Sequence, residues 1–229
     1  MNGPKKIGIL GGTFDPPHLG HLKLATHFSK VLHLDELLLI PSGQPWQKDA
    51  NITQTQTRLQ MTEAAGIDLA RAFLYLKIPT KIGIDDIEID RAGPSYTIDT
   101  VKALRERFGS TANLILLMGA DSLIKLPTWN SWKDLLHYVN FAVASRPHHD
   151  LKQELSPEIT DLLNEHQVAQ PDTLEKSPYG RIYLDESLTI NLSSSELRNR
   201  LKTGVNGAVD TDQIPSHTLE IITNLGLYQ

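Results

Sequence analysis

The absences in this sequence already exclude several classes of protein. None of its 229 residues is cysteine, which excludes a disulfide framework, a thiolate metal centre and a cysteine nucleophile. No apolar run approaches the roughly 20 residues that a membrane-spanning helix needs. Basic residues are scarce, because 22 lysines and arginines stand against 27 acidic residues, giving a formal net charge of −5. We therefore expect a soluble, cytoplasmic protein that binds neither a membrane nor a broad stretch of nucleic acid.

The composition of the chain is that of an ordinary globular protein. Hydrophobic residues make up 40% of it and charged residues 21%, which suits a soluble domain with a full core. The length predicts a single domain over 1–229, with a core over about 5–192 and a C-terminal helical part over about 193–229. The oligomeric state is left open.

Short apolar runs alternate with amphipathic helical patterns along the chain. Strands are predicted at Lys6–Leu10, Glu36–Pro41, Ile82–Ile89, Asn113–Met118 and Val139–Ser145. Helices are predicted at Gly20–Leu32, Gln54–Leu69, Thr97–Phe108, Trp132–Tyr138, Pro157–His166, Ser194–Lys202 and Pro215–Leu225. This order predicts an α/β fold, a Rossmann-like parallel sheet with helices on both faces and a small C-terminal helical segment. The polar stretch Pro147–Tyr179 is interpreted as an insertion within the one domain.

The clearest functional pattern is Gly11-Gly-Thr-Phe-Asp-Pro-Pro-His-Leu-Gly-His21, between the first strand and the first helix. In a parallel sheet this turn lies at the carboxyl edge, where ligands bind. Its glycines allow the backbone to approach a phosphate closely, and its histidines begin a helix whose free N–H groups attract negative charge. The candidate phosphate-binding residues are Gly11, Gly12, Thr13, Phe14, His18 and His21. The alternative interpretation is a glycine turn with two surface histidines.

A second pattern, Leu192-Ser-Ser-Ser-Glu-Leu-Arg198, opens a C-terminal helix. Serine hydroxyls, helix N–H groups and a guanidinium one turn into the helix can together hold a phosphate. Three serines at a helix start are also good N-caps, so capping alone is the alternative interpretation.

The first string, with its His-x-Gly-His core, resembles the signature of the nucleotidyltransferase superfamily. Its form is most similar to that of the bacterial nicotinate-nucleotide adenylyltransferases. The second string is similar to that family's Ile-Ser-Ser-Thr-x-x-Arg motif, with Leu192 and Ser195 in place of Ile and Thr. The resemblance implies an enzyme of NAD biosynthesis that joins ATP and nicotinate mononucleotide to give deamido-NAD and pyrophosphate. Because the sequence shows no dedicated carboxylate cage, we expect Mg²⁺ to be held mainly by ATP and water.

The resemblance also implies roles for particular residues. The catalytic pair is His18 and His21. The ATP site comprises Gly11, Gly12, Thr13, Phe14, His18, His21, Lys48, Ser194, Ser195 and Arg198. The acceptor site comprises Ser95, Tyr96, Thr97, Asp121 and Trp129, with the tryptophan placed to stack on a pyridine ring. Where relatives often carry Pro-Pro-His followed by a basic residue, this chain has Pro45-Trp46-Gln47-Lys48, so Lys48 keeps the positive charge and the role of Gln47 stays open.

Several alternatives remain at this point. Trp129 is also explained as a half-buried packing residue and Asp121 as a helix cap, and the separate roles of the two histidines are not assigned. A related adenylyltransferase that uses nicotinamide mononucleotide or phosphopantetheine, a regulatory module without catalysis and a binding scaffold are the other candidate functions. The predicted helix N-terminus at 95–97 favours an anion, which leads us to expect nicotinate, with its ring carboxylate, as the acceptor base.

Overall fold

The computed structural model describes residues 3–45, 52–145, 154–188, 192–203 and 211–228. Within these ranges the strands are β1 Lys6–Gly12, β2 Glu36–Pro41, β3 Lys81–Ile84, β4 Asn113–Gly119, β5 Asn140–Ala144, β6 Gln167–Val168 and β7 Ile182–Asp185. The helices are α1 Leu19–Val31, α2 Thr55–Leu76, α3 Ile87–Asp90, α4 Thr97–Phe108, α5 Ala120–Ile124, α6 Pro157–His166, α7 Ser194–Thr203 and α8 Ser216–Leu225. Short 3₁₀ segments lie at Leu126–Thr128, Trp132–His137, Pro171–Lys176 and Thr211–Gln213. In these same ranges no helix has the length and apolar character needed to cross a membrane.

The strands form one parallel sheet in the order β3-β2-β1-β4-β5-β7-β6. The strand order reverses between β1 and β4, which is where open α/β sheets bind their ligands. The chain leaves β1 at Gly12 and β4 at Gly119. Both glycines therefore lie at the carboxyl edge, beside the crevice at which a substrate is expected.

Alternate residues of the central strands pack into two separate cores, one on each face of the sheet. On one face Ile7 of β1 belongs to the same core as Leu104 of α4. On the other face Leu10 of β1 packs in the core that contains Phe28 of α1 and Phe73 of α2. Strands buried on both faces read as continuous apolar runs, and the predicted Rossmann-like fold with helices on both faces is confirmed.

The C-terminal helices pack on α2 through a third, smaller core. It contains Met61 of α2, Leu197 of α7 and Ile222 of α8. The buried hydroxyl of Thr218 in α8 donates a hydrogen bond to the carbonyl oxygen of Met61 at 3.2 Å. This contact holds the first turn of α8 against the N-terminal half of α2.

One predicted strand is half wrong. The alternating isoleucines predicted a strand over Ile82–Ile89, but β3 ends at Ile84 and the helical turn α3 follows. The carboxylate of Asp85 accepts a hydrogen bond from the Ile87 N–H at 3.2 Å and forms an ion pair with Arg107 of α4. An aspartate that bonds the backbone two residues ahead starts a turn, so the strand cannot continue through it. The helix predicted at Trp132–Tyr138 is a 3₁₀ segment.

Two strands at one end of the sheet, β6 and β7, were not predicted. β6 lies within the stretch 147–179, and β7 follows it directly. Buried asparagines hold this part of the chain on the sheet, because Asn140 donates to the carbonyl oxygen of Ser177 at 2.9 Å and Asn113 to that of Leu174 at 2.6 Å. The described part of the predicted insertion, 154–179, thus contributes an edge strand.

Candidate active site

Two histidines stack at the carboxyl end of β1. His18 is the N-cap of α1, and its backbone N–H donates to Nδ1 of His21 at 3.1 Å. The ring centroids are 3.7 Å apart with the planes inclined by 28°. Both imidazoles therefore lie together at the start of a 13-residue helix, whose free N–H groups and dipole favour a bound anion.

The backbone of the turn is shaped to bring an aromatic ring against this pair. Phe14 has a left-handed φ of 50°, and its buried ring meets His21 edge-on at a centroid distance of 5.0 Å. A Cβ at Gly12 would stand only 3.2 Å from the Phe14 ring. A side chain at Gly12 would therefore be crowded by the Phe14 ring, which packs against His21.

Burial keeps both imidazoles neutral near pH 7. It lowers the pKa of His18 to about 4, because the residue is only 5% exposed and a charged ring there would lack the hydration it has in water. Burial, and then the neighbouring His18, hold the pKa of His21 well below its usual value. Nδ1 of His18 is buried without a hydrogen-bond partner among the described residues. A phosphate at this helix start would raise both pKa values, since opposite charge favours the protonated ring.

The serines of the second motif have distinct partners. Ser193 Oγ accepts a hydrogen bond from the Glu196 N–H at 3.2 Å, so this serine is the cap of α7. Ser194 Oγ instead donates to the carbonyl oxygen of Pro16 at 3.0 Å. The capping interpretation therefore holds for Ser193 and does not explain Ser194, which joins α7 to the turn that precedes the histidines.

Arg198 strengthens this junction between the two motifs. Its Nη1 donates to the carbonyl oxygen of Asp15 at 2.6 Å, and its Nη2 donates to Ser195 Oγ at 3.3 Å. The guanidinium is partly exposed, with 21% of the side chain accessible. The Arg198 guanidinium, Ser194 and Ser195 are thus brought to the histidine turn, although they are far from it in the sequence.

A buried arginine holds the backbone around the turn between β1 and α1, residues 13–18, which is called the phosphate turn after its predicted role. Arg58 of α2 has no exposed surface, and all five N–H groups of an arginine can act as donors. Its acceptors are the carbonyl oxygens of Thr13, Ser42, Gly43 and Thr53 and the hydroxyl of Thr55. The turn after β1, the loop after β2 and the start of α2 are consequently fixed to one side chain.

The predicted acceptor residues lie on two segments. Tyr96 is the N-cap of α4 and Thr97 its first residue, which confirms the predicted helix start. Ser95 and Gln44 exchange hydrogen bonds, since the Ser95 N–H donates to the Gln44 carbonyl oxygen at 2.9 Å and the Gln44 N–H to Ser95 Oγ at 3.0 Å. The start of α4 is thereby attached to the loop after β2, on the same side of the molecule as the phosphate turn.

The second acceptor segment follows β4. Asp121 lies exposed in the first turn of α5, and Trp129 follows the 3₁₀ turn after it and packs, half-buried, against the core. This contact supports the interpretation of Trp129 as a packing residue. Only the exposed part of its side chain could contact a ligand. Asp121 and Trp129 follow β4, whereas the two histidines follow β1. Gln47 and Lys48 lie outside the described residues.

A buried carboxylate lies beneath the start of α4. Thr100 Oγ1 donates to Glu88 Oε1 at 2.7 Å and accepts a hydrogen bond from Arg91 at 2.8 Å. Burial raises the pKa of Glu88. A Cβ at Gly43 would lie 2.1 Å from the carbonyl oxygen of Glu88, so the loop after β2 packs on α3 without room for any side chain.

Comparisons with known proteins agree with this arrangement. The family model for cytidylyltransferase-like proteins matches residues 9–200. A protein of Herminiimonas arsenicoxydans named "Probable nicotinate-nucleotide adenylyltransferase" is 35% identical over 97% of this chain and 96% of its own length. One of the same name from Aeromonas salmonicida is 36% identical, over 97% of each chain. The chain belongs to the nicotinate-nucleotide adenylyltransferase family.

Solved structures show the same fold as this family member. The nicotinic acid mononucleotide adenylyltransferase of Plasmodium falciparum, complexed with NaAD, has a TM-score of 0.69 and 19% identity, over 98% of this chain and 97% of that one. The same enzyme complexed with APC has a TM-score of 0.67. At this sequence identity the comparison shows a shared fold, namely the sheet and its helices.

The structure adds functional candidates that the sequence interpretation of this adenylyltransferase-family chain missed. They are Asp15, Arg58, Glu88 and Tyr228, each buried or half-buried beside a predicted site residue. Asp15 lies inside the quoted histidine string and was within reach of the pattern. A basic residue on the apolar side of a predicted helix was a signal for Arg58, whereas nothing local marks Tyr228.

Proposed function

We propose that this member of the family transfers the adenylyl group of ATP to nicotinate mononucleotide, giving deamido-NAD and pyrophosphate. The observation that carries the proposal is the stacked pair of His18 and His21 at the start of α1, with Arg198 bonded to the turn beside it. Two neutral imidazoles, a helix N-terminus and a guanidinium at one point suit a polyphosphate. The names of the relatives agree with this chemistry.

The proposed reaction is a direct displacement. A phosphate oxygen of the acceptor forms a bond to the α-phosphorus of ATP, the bond from that phosphorus to the oxygen bridging to the β-phosphate breaks, and pyrophosphate leaves. The attacking oxyanion needs no general base, so the protein contributes positioning and stabilisation of charge. His18 and His21 would donate hydrogen bonds to phosphate oxygens, with proton uptake as their pKa values rise, and Arg198, Ser194 and Ser195 would hold the remaining phosphates.

Mg²⁺ is proposed to arrive with ATP. Within the described ranges no group of three or more histidine, aspartate or glutamate side chains is arranged to hold a metal ion. Both carboxylate oxygens of Asp15, the acid nearest the phosphate turn, already have protein partners. We propose that ATP and water coordinate the ion, which is usual for Mg²⁺ with a nucleotide, and that it would neutralise phosphate charge there.

The acceptor is proposed to be the acid form of the pyridine nucleotide. Ser95, Tyr96 and Thr97 stand at the start of the 12-residue helix α4, where free N–H groups prefer an anion. Nicotinate carries a ring carboxylate and nicotinamide a neutral amide. Trp129 would stack on the ring and Asp121 would border it. Lys48 is proposed as a further phosphate contact.

The test is pyrophosphate release from ATP and Mg²⁺ with a panel of acceptors. Nicotinate mononucleotide should give a much higher kcat/KM than nicotinamide mononucleotide, and phosphopantetheine should give no more release than ATP alone. Equal rates with the two mononucleotides would refute the acid preference. No release with any acceptor would refute the transferase and favour a binding module.

Two further proposals concern the whole protein. We propose that it acts in the cytoplasm, where both substrates would be made. We also propose that 1–229 forms one domain, with a core over about 5–192 and a C-terminal part over about 193–229. The shared core of Met61, Leu197 and Ile222 supports this, because α7 and α8 would lose their apolar packing if they separated from α2.

A further inference from the structure

The penultimate residue of the chain contacts the phosphate turn. Tyr228 donates its phenolic hydrogen to Oδ1 of Asp15 at 2.5 Å, across a separation of 213 residues. The same hydroxyl accepts a hydrogen bond from Thr53 Oγ1 at 3.2 Å. Asp15 stands three residues before His18, so the C-terminal end of the protein meets the motif that carries the candidate chemistry.

The carboxylate of Asp15 is buried, and each of its two oxygens has a hydrogen-bond partner. Its side chain is 1% exposed. Besides Tyr228 on Oδ1, its Oδ2 accepts the Thr53 N–H at 3.3 Å and lies 3.8 Å from Nη1 of Arg198. Arg58 adds positive charge nearby. A buried carboxylate is stable only while donors satisfy its oxygens, and the hydroxyl of Tyr228 is one of these donors.

Arg198 experiences two attractions in this arrangement. Its Nη1 bonds the carbonyl oxygen of Asp15 at 2.6 Å, and the carboxylate of the same residue lies 3.8 Å away. The phosphates of ATP must compete with that carboxylate for the guanidinium. The more completely other donors satisfy the carboxylate, the less strongly it attracts Arg198, and the Tyr228 hydroxyl is one of those donors.

We propose that Tyr228 and Asp15 are positioning residues for the ATP side of the site, and that the Tyr228 hydroxyl keeps the Asp15 carboxylate from drawing Arg198 away from the nucleotide. The inference rests on the proposed function, because it takes ATP as the ligand of Arg198. Burial and the adjacent carboxylate raise the pKa of the Tyr228 phenol, which keeps it protonated and able to donate.

The test is the variant Tyr228→Phe, which removes the donor and keeps the ring. A titration with a non-hydrolysable ATP analogue and Mg²⁺ should show a Kd about tenfold higher than that of the unmodified protein, the usual scale for one hydrogen bond to a charged group. The KM for ATP should rise in parallel, while the KM for the acceptor stays unchanged. The matched control is Tyr75→Phe, since Tyr75 is 86% exposed on α2, and it should bind the analogue normally.

A second variant separates positioning from folding. Asp15→Asn removes the charge that competes for Arg198, so adding it to Tyr228→Phe should restore most of the affinity for the analogue. If Tyr228 had a purely structural role, its replacement would reduce the fraction of folded protein. That loss would lower kcat and leave Kd and both KM values unchanged.

The outcomes distinguish this inference from the proposed function. If the unmodified protein binds no ATP analogue, the proposed function fails and the inference fails with it. If the unmodified protein binds and Tyr228→Phe binds equally well, the inference alone is overturned. A rise in Kd that Asp15→Asn does not relieve also overturns it, because the carboxylate would then not be the competitor.

Discussion

The neutral His18 predicts a specific dependence of stability on pH. Its pKa is about 4 in the folded protein and 6.5 when the ring is free. Between these pH values His18 is protonated in the unfolded chain and neutral in the folded protein. The free energy of unfolding therefore falls as the pH falls through this window. At pH 5 the unfolded His18 is almost fully protonated and the folded ring almost fully neutral. Protonation of the unfolded chain over about 1.5 pH units therefore lowers the free energy of unfolding at pH 5 by about 2 kcal/mol relative to its value at pH 7.5.

The perturbation is His18→Gln, which keeps a polar side chain and removes the titration. Urea unfolding followed by circular dichroism at pH 7.5 and pH 5.0 gives the free energy of unfolding at each pH. The loss of stability between the two should be about 2 kcal/mol smaller in the variant than in the unmodified protein. His137→Gln, which replaces an exposed histidine, should reproduce the unmodified curve. Equal losses in His18→Gln and the unmodified protein would refute the account of a buried neutral ring.

Three further substitutions test the site and its supports. His21→Ala should lower kcat by roughly two to three orders of magnitude with an unchanged circular dichroism spectrum; near-normal turnover would contradict a catalytic role. Arg58→Lys should lower the free energy of unfolding by about 3 kcal/mol, because one ammonium cannot reach the five acceptors of the guanidinium; urea denaturation measures this, and a loss below about 1 kcal/mol would contradict it. Gly43→Ala should destabilise by about 2 kcal/mol through its clash with Glu88, whereas Gly3→Ala, with open space around it, should be neutral; equal stability of the two variants would disprove the clash.

The central strands of the fold were predictable because their signal is local. β1, β2, β4 and β5 are apolar runs, as strands covered on both faces must be, and their approximate bounds follow from the sequence. β6 has only the two residues Gln167–Val168, and its pairing with β7 depends on buried asparagines elsewhere in the chain. A strand of two residues is too short to show an alternating pattern. It forms because of tertiary contacts, which cannot be predicted from local periodicity.

The same distinction applies to the candidate site. His18 and His21 lie within one string, and their joint position at a helix start follows from a spacing of three residues. The contact of Arg58 with Thr13 spans 45 residues, and that of Tyr228 with Asp15 spans 213. No propensity or period links such positions. The candidate ligand-binding residues could therefore be named from the sequence, while those that hold them in place required the folded chain.

The hydrogen bonds of Arg58 have a consequence for protein engineering. Because one planar group bonds the turn after β1, the loop after β2 and the start of α2, these three segments form a single wall that cannot be remodelled one at a time. A directed change of acceptor is therefore better tried at the proposed acceptor residues Tyr96, Thr97 and Trp129, whose side chains are only partly buried. Mutational libraries that spare the Arg58 wall should retain many more folded members than libraries that include it.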